Sequence, residues 1–116
     1  MIMTNLRIKH HMGVLEYLKG LPSSEQKRFI NGASSELLKT ISELCLNLLK
    51  GTIKVSETDL KNLKKYKKQL IFLSERKHSS DKRRKLCSQR GGFLGSLIGI
   101  VLPAVITAII TATQKR

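Results

Sequence analysis

Three histidines, two cysteines and eight carboxylates are the side chains best suited to acid–base, nucleophilic or metal-ligand chemistry here, and their spacing assembles no site. His10 and His11 are sequence neighbours, and neighbours on a helix point away from one another. No Cys or carboxylate is spaced to complete a metal site with them, so both are expected to be solvent-exposed. Cys45 and Cys87 form no CxxC pair. Cys45 falls on the apolar face of a predicted helix, which favours a plain buried thiol over a reactive one. There is no nucleophile motif, phosphate loop or paired-carboxylate signature. The expectation is a non-enzymatic protein without cofactor or metal.

The chemistry that the sequence does concentrate is positive charge. Of 116 residues, 22 are Lys or Arg and 8 are Asp or Glu, a net charge of +14. Residues 1–53 carry seven basic and four acidic side chains, whereas residues 54–90 carry thirteen and four. Lys61, Lys64, Lys65, Lys67 and Lys68 are followed by Lys82, Arg83, Arg84, Lys85 and Arg90. Such a block neutralises phosphates by counterion release without reading base sequence. It fits a polyanion, either nucleic acid or an anionic lipid surface. Only five aromatic residues and no Trp are present, too few for a platform on which single-stranded bases stack.

The elements that must position these cations read as helices. Leu6 to Leu21 forms a modest amphipathic helix ended by Gly20 and Pro22, and Ser23 to Ile30 a short one broken by Asn31-Gly32. Ser34 or Ser35 caps the clearest helix, whose apolar stripe is Leu37, Leu38, Ile41, Leu44, Cys45, Leu48 and Leu49. Gly51 supplies a left-handed stop. Ser56-Glu57-Thr58-Asp59 approximates a capping box before a lysine-rich helix with Leu60, Leu63, Leu70 and Leu73 on one side. Ser79-Ser80-Asp81 restarts a helical turn through Lys82 to Lys85. No strand-like alternation and no internal repeat occur. The fold class is all-α: a small three- to four-helix body, then an apolar, transmembrane-like C-terminal helix. Three segments follow: an N-terminal helical segment over 1–55, a basic helical segment over 56–90, and an apolar glycine-zipper tail over 91–116.

The tail is free of charge from Gly91 to Thr113. As helix these residues reach roughly 35 Å, more than the roughly 30 Å hydrocarbon core of a bilayer. A body of about 90 residues is expected to be too small to cover it. Five basic residues before the tail against two after it would keep the body cytosolic. Gly91, Gly95 and Gly99 recur every fourth residue, and Ala104, Ala108 and Ala112 repeat the interval beyond Pro103. Small residues at that spacing let helices approach closely, so self-association, giving a homo-oligomer, is expected through them. No continuous apolar leader with a small-residue cleavage site opens the chain, so an intracellular, reduced, non-secreted protein is expected.

Several strings carry a likeness: Lys65-Tyr66-Lys67-Lys68, the Lys/Arg-rich run after it, and Gln89-Arg90-Gly91-Gly92-Phe93-Leu94 opening the tail. Asn31-Gly32-Ala33-Ser34, Leu37-Leu38-Lys39 and Leu44 to Gly51 extend it over about Phe29 to Ile110. The chain resembles the small basic proteins of Polinton (Maverick) elements and adintoviruses, themselves likened to the adenoviral core-protein precursor pX. The resemblance implies a virion component that accompanies double-stranded DNA inside a capsid and contacts a host membrane during entry. Capsid proteins and an adenovirus-type cysteine protease would be its partners. The virion and the host nucleus or an intracellular membrane would be its locations. Such proteases cut after (Met/Ile/Leu)-x-Gly-Gly; here Gln89, Arg90, Gly91, Gly92 and Phe93 form the processing candidate, with Gln89 departing from the commonest pattern. Two readings compete with the core-protein one. In the first, a tail-anchored membrane protein or viroporin-like pore-former grips anionic lipid through its basic block. In the second, a helical regulatory protein docks its tail into a partner.

Overall fold

The computed structural model describes residues 7–51, 53–75, 77–89 and 92–114, and for Gln89 and residues 108–114 the backbone alone. All secondary structure among them is helical: α1 (residues 7–10), α2 (Met12–Lys19), α3 (Ser23–Asn31), α4 (Ser35–Leu49), α5 (Glu57–Lys64), α6 (Lys67–Ser74), α7 (Ser80–Gln89) and α8 (Phe93–Gln114). The body before α8 thus holds more and shorter helices than the three to four expected. Two expected helices are split. The first breaks at His11, whose N–H bonds back to Arg7 and Ile8 carbonyls while α2 restarts beyond it. The lysine-rich helix breaks at Lys65-Tyr66, where Tyr66 adopts φ −107° and turns its ring into the core.

The caps obey local chemistry. Ser34 Oγ accepts from the Leu37 N–H at 3.2 Å and Ser56 Oγ from the Asp59 N–H at 3.1 Å, each occupying one of the orphan donors of a helix start. Gly51 sits at φ 74°, the left-handed conformation that ends α4 without a Cβ clash. Along α4, Leu37, Leu38, Ile41, Leu44, Cys45 and Leu48 are buried as their spacing requires. Leu49, assigned to the same stripe, is 45% exposed, and Leu60 on α5 is 43% exposed. Both occupy the margin of a stripe, where small rotations decide exposure.

The tail departs furthest from what its sequence predicts. Far from exceeding what the body can cover, α8 supplies the body's core from Phe93 through Val105. Phe93, Leu94, Leu97, Ile98, Val101, Leu102 and Val105 are all buried. From Leu94 these recur at three and four residues, the stripe of an amphipathic helix whose other side is small and uncharged rather than ionic. The helix packs on α2, α4 and α5. One apolar cluster runs from Ile8 to Val105, so the three sequence segments share a single core. Among the described residues no single helix is long and apolar enough to cross a membrane; Ser80–Ser88 and Phe93–Thr107 meet that criterion only as a pair bent by 103°.

Pro103 sits inside α8 without ending it. Proline carries no N–H, so the Gly99 carbonyl has no donor four residues on, and Gly99 and Pro103 both lie on the exposed side where water can serve it. Thr107 Oγ1 donates to the Pro103 carbonyl at 3.0 Å.

Candidate functional site

The basic block is divided by helical geometry into cations that face water and cations that hold the fold. On α5, α6 and the turn joining them, Lys61, Lys64, Lys65, Lys67 and Lys68 are exposed. On α7, Lys82 and Lys85 are exposed one turn apart. Arg83 and Arg84, between them, point inward. Arg83 is 6% exposed and its Nη2 donates to the Glu75 carbonyl at 3.4 Å. Arg84 donates from Nε and Nη2 to the Ala33 carbonyl at 3.2 and 2.6 Å, and from Nη1 to Asp81 at 2.9 Å. Both arginines, counted by sequence among the phosphate ligands, are therefore engaged in joining α7 to its neighbours. Sequence held a signal of this: Arg83 and Cys87 are four residues apart, on the side of α7 that also carries Leu86. Arg90 lies outside the described residues.

Six of the eight carboxylates pair with cations outside that exposed set; Glu57 and Asp59 stand in the first turn of α5. Glu16 pairs with Lys19, Glu25 with Arg28, Glu36 with Arg7 and Lys39, Glu43 with Arg7, Glu75 with His78 and Asp81 with Arg84. None of Lys61, Lys64, Lys67, Lys68, Lys82 and Lys85 forms an ion pair among the described residues. These six are exposed charges with no carboxylate partner among the described residues.

The aromatics of the block are committed to structure. Tyr66, flanked by lysines on both sides, is 4% exposed and packs its ring against Phe93 at 5.3 Å between centroids. Lys65 Nζ lies 5.2 Å from that ring. Phe72 stacks on His78, with centroids 3.5 Å apart. His78 Nε2 donates to Glu75 Oε1 at 2.9 Å, a bond that holds the Glu75 carboxyl below the usual carboxylate range. Within the described part of the block, the exposed cations are thus accompanied by no exposed aromatic face.

The glycine and alanine rows separate. Gly95 lies against α3, where an added Cβ would stand 3.3 Å from Gln26 Nε2; Gln26 is itself buried and donates to the Leu18 carbonyl at 3.1 Å. At Gly99 an added Cβ would stand 4.0 Å from Lys19 Cδ, an ordinary contact. Gly95 therefore makes room for the Gln26 side chain, whereas Gly99 has space for a Cβ. Ala104, five residues beyond Gly99, is rotated by roughly 140° and packs on the core side. The two series do not form one face, because Pro103 marks a five-residue step rather than a four-residue one. Gly91 and the side chains of Ala108 and Ala112 lie outside the described residues.

At the processing candidate, Arg90, Gly91 and the Gln89 side chain are likewise outside them. Gly92 adopts φ 84°, a left-handed turn into α8, and Phe93 is fully buried behind it. An extended passage of this bond through a protease cleft requires the start of α8 to open.

His10 is exposed as expected, but His11 is half-buried. Its Nδ1 lies 3.1 Å from the Arg7 carbonyl and 3.0 Å from Thr40 Oγ1. A carbonyl only accepts, so Nδ1 carries the proton, and Thr40 gives its own to the Glu36 carbonyl at 2.9 Å. Among the described residues no three His, Cys, Asp or Glu side chains gather in a way that could hold a metal ion. Cys45 and Cys87 are free and buried. Burial pushes the Cys87 thiol up to about 12 and the Cys45 thiol well above its ordinary value, with Cys87 a further cause at Cys45. No family model, curated protein or solved structure matches the chain.

Proposed function

We propose that this protein is a non-enzymatic structural protein that binds double-stranded DNA without sequence preference, as a core component of a Polinton-type virion or element. One observation supports the binding: six exposed lysines on α5, α6 and α7 have no carboxylate partner within the described fold. Unpaired cations over a compact body attract a polyanion, and the buried Tyr66 favours duplex phosphate over single-stranded bases. The virion setting, its capsid and protease partners and cleavage after Gly92 rest on the resemblance. Full-length protein should bind duplex DNA of unrelated sequences equally, with an affinity that falls steeply with salt. Binding no tighter than that of a neutral protein of similar size would overturn this reading.

A second reading is favoured by α8, which carries no charged residue over 22 positions. In it the protein is membrane-anchored or pore-forming, with the lysines on anionic lipid, and α8 leaves the core to enter a bilayer or to self-associate there. That route exposes seven core side chains. Vesicles of anionic phospholipid should then bind the full chain and leak an entrapped dye, whereas the DNA reading expects surface binding that salt reverses, without leakage.

A further inference from the structure

We propose that Ser79 is a phosphorylation site for a protein kinase that reads cations N-terminal to its target, and that the modification weakens the duplex-DNA surface; this second half rests on the function proposed above. Kinases of this class select substrates by charge pattern, through acidic subsites that take Lys or Arg two and three residues before the acceptor. Among all serines and threonines of the chain, only Ser79 has basic residues at both places, Arg76 and Lys77. Lys77 and Ser79 are both exposed, and Ser79 lies outside helix, between α6 and α7.

The other serines near cations are less available. Ser88 is half-buried within α7 and donates to the Arg84 carbonyl at 2.7 Å. Ser80 donates to Ser35 Oγ at 3.0 Å across to α4. Ser42 is buried in α4. Ser79 Oγ only accepts one bond, at 3.3 Å from the Lys82 N–H.

In the transfer, Ser79 Oγ attacks the γ-phosphorus of ATP. An Oγ–P bond forms, the bond to the β–γ bridging oxygen breaks, ADP leaves, and the hydroxyl proton passes to the base of the kinase. Between residues 75 and 90 the sequence has seven basic and two acidic side chains. A phosphoryl group adds about −1.5 to −2 charge there. The Oγ that carries it stands 3.3 Å from the backbone N of Lys82, whose side chain is one of the exposed lysines assigned to DNA, and the negative charge there opposes duplex phosphate.

The test uses the full-length protein, a purified basophilic serine/threonine kinase and ATP, with intact-mass and peptide mapping, and then duplex-DNA binding over a salt series. One phosphate should map to Ser79, persist in Ser80→Ala and vanish in Ser79→Ala. The modified protein should bind duplex about tenfold more weakly, with a shallower salt dependence. No incorporation at Ser79 into folded protein overturns the site. Phosphate on Ser79 with unchanged DNA affinity overturns the regulation. Should unmodified protein fail to bind DNA, the functional reading and the regulation fail together, while the mapped mass still decides the site.

Discussion

Arg84 on α7 grips the backbone carbonyl of Ala33 from two nitrogens, Nε at 3.2 Å and Nη2 at 2.6 Å. That carbonyl lies just beyond α3, so one side chain fastens α7 to the turn between α3 and α4. Charge-assisted bonds of this kind contribute about 1.5–3 kcal/mol each where solvent is excluded. Because Arg84 is partly exposed, Arg84→Ala should lower unfolding free energy by about 1–2 kcal/mol, measured by urea denaturation. Lys85→Ala, one residue on and exposed, should change stability by less than about 0.5 kcal/mol.

For the lysines the expectation is reversed. Replacing Lys61, Lys64, Lys67 and Lys68 together by Ala should leave the helical circular dichroism intact, since Ala is the best helix former. The slope of log affinity against log salt for duplex DNA should fall by up to about 0.9 for each phosphate contact removed. An unchanged slope would remove these four from the interface.

The glycine row gives a paired test. Gly95→Leu forces a side chain into the space held by Gln26 and should destabilise the fold by about 1–3 kcal/mol. Gly99→Ala meets only the Lys19 Cδ at 4.0 Å. It should stabilise α8 by about 0.5–1 kcal/mol through helix propensity. Equal effects at both positions would contradict the close approach of the Gln26 side chain at Gly95.

Leu97 is fully buried in the second turn of α8. Leu97→Ala should cost about 2–5 kcal/mol of unfolding free energy, read from the denaturant midpoint of the whole chain. A tail held away from the body would leave that midpoint unmoved, so the variant separates a core helix from a free one.

The buried thiols predict an alkaline trend. With a folded pKa pushed from 9.0 to about 12, Cys87 keeps its proton in the native state while the unfolded chain loses it above pH 9. The native state then binds more protons, and stability falls as pH rises from about 9 toward 12. Below pH 9 this contribution is fully present. Thermal unfolding of Cys87→Ala should show a flatter decline over that range than the parent. At pH 8 both thiols should react with a soluble disulfide reagent only as fast as the core opens.

Much of the local structure was legible because it is settled within a few residues. Ser34 and Ser56 cap because each stands directly before its helix, and Gly51 stops α4 because only Gly takes φ 74° without a clash. The charge gradient toward residues 54–90 is likewise a property of composition, and so is the shortage of aromatics. What local signals could not settle was orientation. Lys82, Arg83, Arg84 and Lys85 carry the same sign, and only the packing of α7 on α3, α4 and α6 divides them into two that face water and two that bind carbonyls.

The tail shows the same division most sharply. Leu94, Leu97, Ile98, Val101, Leu102 and Val105 are apolar at helical spacing whether the helix lies in lipid or in a protein core, since both environments reward removal of the same surface from water. Sequence fixes that α8 must be covered. Tertiary structure decides by what: α2, α4 and α5 close over its stripe, and Gly95 leaves room for Gln26. Burial depends on which surfaces meet, and that is a property of the assembled helices together rather than of any one of them.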